Sequence, residues 1–254
     1  MGAAVRLRTV LPAAVLFALT LLPACHQAEK IRAQALADSR VVVFQSIDGV
    51  SLSGRMFGPD AATSAILLAH MEGSDERAWF DFADRLGGLG YRVLTFDFRG
   101  YCPGGDGGCS KGTKNQAEIW NDVAGAVGLL HTQGARRVAL VGAGMGGTAS
   151  LVVASQTGNG IAAVITLSAP ESIGGLEAGP TAMQSVTAAK LFLAGNGDIA
   201  GAQAAQTFYD ESGQPKRVEI LTTNDRGTDI LEGNQGEIAG NLIVDWLARY
   251  VPVP

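Results

Sequence analysis

From residue 40 onward the apolar positions fall in short blocks of five to seven residues, separated by longer stretches in which apolar and polar residues share a helical period. The first two blocks, Val41 to Ile47 and Ser51 to Phe57, flank Asp48-Gly49, a pair that favours a tight hairpin turn. After them strand and helix alternate strictly. Strands are predicted at Ala65 to Ala69, Arg92 to Phe98, Arg137 to Val141, Ala162 to Leu167, Lys190 to Ala194 and Arg217 to Leu221. Helices are predicted at Asp75 to Leu89, Asn115 to Gln133, Met145 to Gln156, Ile199 to Glu211 and Gly236 to Tyr250. A hairpin followed by repeated β-α units predicts an α/β fold, with a mostly parallel sheet of about eight strands covered by helices on both faces. Residues 40–254 are expected to form one domain.

The N-terminal pattern is different. Arg6 and Arg8 precede an uncharged apolar run, Thr9 to Leu22, that ends in Leu22-Pro23-Ala24-Cys25. This is the layout of a secretory signal peptide, and the run is shorter than the roughly 20 residues that span a bilayer. Its end resembles the lipobox of bacterial lipoproteins, which implies a signal peptide over residues 1–24, a lipidated Cys25 and a polar, Ala-rich tether over residues 25–39. The expected location is therefore outside the cytoplasm, anchored by lipid to the cell membrane or outer membrane. In such a compartment Cys102 and Cys109, which share one Gly-rich loop, are expected to form a local disulfide. The formal charge of -5 and the lack of any Lys/Arg run past the N-terminus point away from nucleic acid and from an acidic bilayer surface, and leave the lipid anchor as the only expected membrane contact. With three histidines and no Cys-x-x-Cys spacing, neither a metal nor a cofactor is expected.

Parallel sheets bind ligands at the C-terminal ends of their strands. The turn there that carries most information is Gly142-Ala143-Gly144-Met145-Gly146-Gly147, between a strand and an apolar helix. It satisfies the dinucleotide fingerprint GxGxxG, but the next strand ends in Leu-Ser-Ala-Pro without the acid that would hold a ribose. It also matches the nucleophile elbow GxSxG at every position but the central one. With the elbow the chain resembles the α/β-hydrolase family over nearly all of residues 40–250. His70-Met71-Glu72-Gly73 is similar to the family's oxyanion segment, and Phe96-Asp97-Phe98-Arg99-Gly100-Tyr101 to its fourth-strand exit. Gly195-Asn196-Gly197-Asp198 falls where the family keeps its triad acid, and Asn224-Asp225-Arg226-Gly227-Thr228 where it keeps its histidine.

The resemblance implies a serine or dienelactone-type hydrolase, with the amides of Met71 and Met145 at the oxyanion hole. It also places Gly144 at the nucleophile and Arg226 at the base. Glycine has no atom to attack a carbonyl, and a guanidinium keeps its proton. Of the other histidines, His26 lies beside the anchor and His131 near a helix end, so only His70 is expected near the cleft. A hydrolase homologue without an intact triad is the expected reading, binding an unknown small molecule or protein at the former active site, with His70, Asp198 and Arg226 as candidate ligand contacts. Arg226 either pairs with Asp198 or, with the Met145 amide, receives a carboxylate or phosphate. The alternatives are an esterase or peptidase with an unrecognised nucleophile, Ser168 and Ser74 being near the rim, and a dinucleotide binder through Gly142 to Gly147. Ala169 to Ala189 is too short to form a large cap.

Overall fold

The computed structural model describes residues 36, 39–101, 109–157 and 160–254. The expected signal peptide, Cys25, Cys102 and most of the tether lie outside the described residues. One sheet of eight strands runs through the domain in the order β1-β2-β4-β3-β5-β6-β9-β10. Its strands are β1 (Arg40–Gln45), β2 (Ser51–Phe57), β3 (Ser64–Ala69), β4 (Arg92–Phe96), β5 (Arg137–Ala143), β6 (Ile161–Leu167), β9 (Ala189–Gly195) and β10 (Lys216–Leu221). β1 and β2 pair antiparallel, β2 lies antiparallel to β4, and the other pairs are parallel.

The central strands are buried on both faces, as their unbroken apolar runs require. Helices α2 (Ile119–Thr132), α3 (Met145–Thr157) and α5 (Ile199–Glu211) contribute to one core, around Phe96, Phe192 and Phe208. Helices α1 (Phe80–Gly88) and α7 (Gly236–Tyr250) contribute to the other, around Trp79, Leu191 and Leu247.

The predicted helices at Asp75 and Asn115 each begin as a separate 3-10 turn, Glu76–Trp79 and Gln116–Glu118. In both, the preceding side chain accepts the amide two residues on, from Arg77 and Ala117 respectively, which tightens the first turn. Three short pieces escape the apolar period. They are the hairpin β7 (Ser172–Ile173) and β8 (Leu176–Glu177), helix α4 (Pro180–Ser185) and helix α6 (Asp229–Glu232). The hairpin had a signal: Gly174-Gly175, both at positive φ, is a favoured two-residue turn. The hairpin and α4 are the elements between β6 and β9, α6 follows β10, and no large cap is present among the described residues.

The chain passes from β3 outward to β4 and then back across β3 to β5. This reversal opens a crevice at the C-terminal ends of β3 and β5, where the candidate site lies.

Candidate functional site

Gly144 occupies the turn from β5 into α3 with φ +50°, a left-handed conformation that strains any residue with a β-carbon. Its amide donates to the Leu167 carbonyl at 3.0 Å, while its own carbonyl accepts from Gly147 and Thr148. The helix start presses against β3 so closely that a β-carbon on Gly146 would lie 2.5 Å from the Ala69 carbonyl oxygen. Glycines therefore flank the turn because strand and helix touch there. The Met145 amide, first in the helix, has no carbonyl one turn back to donate to.

Met71 covers this turn. A β-carbon built on Gly144 would fall 2.9 Å from Met71 Cβ, and one built on Gly227 would collide with Met71 Sδ. The Met71 side chain thus reaches from Gly144, at the nucleophile position of the resemblance, to Gly227, next to the base position at Arg226. Around it opens a cavity of about 220 Å³ whose lining includes Glu72, Gly144, Met145, Ser168, Asp198 and Arg226. Ser74, expected near the rim, does not line it; the predicted oxyanion positions and ligand contacts are brought together here, with one exception.

The exception is His70. It is fully buried, its Nε2 accepts from the Phe98 amide at 3.2 Å, and its Nδ1 therefore carries the proton donated to the Met71 carbonyl at 2.9 Å. Phe98 and Tyr101 meet its ring edge-on, and burial holds its pKa down to about 4. His70 is a neutral brace that fixes Met71 rather than a cleft contact. His131 lies at the end of α2, with Nδ1 against the Ala135 carbonyl.

Asp198 and Arg226 both line the cavity but form no ion pair with each other. Asp198 instead caps α5, accepting the Gly201 amide at 3.2 Å. Arg226 is exposed, which leaves its guanidinium available to the cavity.

Two features were not read from the sequence. The first is the state of Ser168, a residue already expected near the rim: at the exit of β6 it is the one non-glycine residue with positive φ among the described residues, at +51°. Its Oγ is buried without a hydrogen-bond partner. A strained residue with an unsatisfied hydroxyl on a cavity wall is a pattern found at ligand sites. The second is a carboxyl pair behind the cleft. Asp97 Oδ1 accepts the Glu76 amide at 2.9 Å and Thr95 Oγ1 donates to Glu76 at 3.0 Å, while Asp97 Oδ2 has no partner. Burial raises Glu76 to about 8, helped by the neighbouring Asp97 charge, and burial raises Asp97 to about 7.

A sequence model described as the alpha/beta hydrolase fold matches residues 65–240. Among solved structures, an esterase from Pyrococcus furiosus superposes with TM-score 0.73 at 16% identity, covering 86% of this chain and 93% of that one. A dienelactone hydrolase from Anabaena variabilis gives 0.67 at 20% identity over 84% and 99%. An enol-lactonase from Burkholderia xenovorans gives 0.66 at 17% identity over 81% and 99%. At these identities the likeness is one of fold. No curated protein matches the chain by sequence.

Proposed function

This chain belongs to the alpha/beta hydrolase fold family, and from that premise we propose that it is an exported, lipid-anchored member that binds a ligand in the cleft without hydrolysing it. The observation that carries this reading is Gly144 at φ +50° with Met71 packed over it: residue 144 carries no nucleophile, and the Met71 β-carbon crowds the space that a side chain there would need. Arg226 stands where the family keeps its base, and its guanidinium, already protonated, cannot accept a proton. Loss of a triad serine costs on the order of 10⁶ in turnover in subtilisin, and here two members are missing. Cys25 holds the lipid, and a Cys102–Cys109 disulfide staples the loop after β4.

The ligand group that this cleft suits is a carboxylate or phosphate. The Arg226 guanidinium, the Ser168 hydroxyl and the N-terminal turn of α3 line one cavity, and all three favour an anionic oxygen. Glu72 and Asp198 on the same wall limit the charge it accepts, which favours a single anionic group on a larger neutral molecule. Calorimetric titration with short-chain carboxylates is expected to give heat of binding that Arg226→Ala removes. Equal heats in the variant would reject the anion site.

A second reading has one observation in its favour. Ser168, strained and unpartnered, shares the cavity with Asp198, and a hydrolase working through it would lose all turnover in Ser168→Ala. Among the described residues no imidazole lines the cavity to take its proton, so we assign the hydroxyl to ligand binding instead.

A further inference from the structure

The sequence scatters its arginines, but the fold collects four of them at the end of the sheet opposite the cleft. Arg92 opens β4 and Arg137 opens β5, paired in register with Ala65 and Ser64 at the start of β3. The amides of Arg136 and Arg137 both donate to the Thr63 carbonyl. Arg40 opens the edge strand β1 and joins Arg92, Asp60 and Gln133 around an open depression of about 440 Å³. Arg92 is buried, with Nη1 on the Gln133 carbonyl and Nε lacking any partner. Asp60 pairs with Arg40, whereas the exposed Arg136 and Arg137 make no ion pair with the described residues.

Apolar side chains stand among these charges. Leu89, just before β4, is 47% exposed, and Val253 is 38% exposed. They sit at the same end: a β-carbon on Gly90 would lie 3.1 Å from Val253, and Ser64 Oγ at the start of β3 donates to the Pro252 carbonyl at 2.6 Å. In a chain of formal charge -5, a basic face with exposed leucine and valine is a local reversal. The chain enters the domain at this face, because β1 begins at Arg40, some 15 residues after Cys25.

We propose that this face, at the N-terminal ends of β3, β4 and β5, docks on an anionic phospholipid surface and so turns the cleft away from the membrane. The inference rests on the lipid-anchored reading above. A tether of this length holds the domain within about 50 Å of the bilayer even when fully extended. Within that layer each arginine at an anionic surface strengthens contact roughly fivefold. Leu89 and Val253 add apolar contact at headgroup depth.

The test uses the full chain, made in a host that processes lipoproteins and reconstituted on phosphatidylcholine vesicles with or without phosphatidylglycerol. Amide hydrogen exchange is expected to slow at residues 89–92, 133–137 and 251–254 on the phosphatidylglycerol vesicles alone. Arg136→Glu with Arg137→Glu is expected to lower the docked population more than 25-fold, on the same roughly fivefold per arginine, and to abolish that protection. Equal exchange on both vesicles, or protection at the cleft rim around Ile199, would overturn the proposal. Flotation with pure phosphatidylcholine tests the anchor separately. A chain that does not float there lacks the anchor, and the surface then stands if the chain floats with phosphatidylglycerol and sinks on charge reversal, and falls otherwise.

Discussion

At the scale of single residues, the buried carboxyls behind the cleft make a prediction about pH. Glu76 is raised from its ordinary 4.5 to about 8 and Asp97 from 3.8 to about 7, mainly by burial. Both bind their protons more tightly folded than unfolded. The stability they contribute is therefore complete below about pH 4 and is lost as pH rises through the 7 to 8 range. Glu76→Gln, neutral at every pH, is expected to flatten this decline, so that thermal melts of variant and natural protein diverge between pH 5 and pH 9. Parallel melting curves would contradict it. The sequence disclosed the motif positions Gly144, Asp198 and Arg226 because each sits beside a strand exit with family spacing. It did not disclose Glu76, the backbone strain of Ser168 or the packing of Met71, since burial, a backbone angle and a contact across two strand ends leave no trace in residue order.

At the scale of elements, the segment leaving β4 is held by one buried cation. Arg99 is buried and meets Asp48 from the β1–β2 turn at 2.7 Å, Glu118 at 2.9 Å and Asp122 on α2 at 2.7 Å. Hydrogen bonding from Arg99 holds the Asp48 carboxyl at about 2. Removing the cation would strand Asp122, which is fully buried, so Arg99→Ala is expected to cost about 3–5 kcal/mol in denaturant unfolding. A loss below about 1 kcal/mol would show the network to be dispensable. Periodicity made the long elements legible, with α5 and α7 spanning their predicted residues. The hairpin of β7 and β8 and the helices α4 and α6 have six residues or fewer each, too few to display a period.

At the scale of the whole molecule, a mostly parallel sheet covered by helices was implied by alternating strands and helices, while the strand order and the charge asymmetry were not. Arg40, Arg92, Arg136 and Arg137 look unrelated along the chain and become neighbours only when parallel strands align their starts. The structure thus sets the cleft at one end and the basic face at the other, with β1 beginning at the basic face. What the cleft does depends on Gly144 and on Met71 above it. The most direct measurement is hydrolysis of p-nitrophenyl acetate by the natural protein, beside a variant carrying Gly144→Ser, Arg226→His and Met71→Gly, the last to clear the 2.9 Å contact that a β-carbon at residue 144 would make. The account predicts no turnover above buffer for the natural protein and measurable turnover for the variant. Enzyme-like turnover by the natural protein would contradict it and turn attention to Ser168.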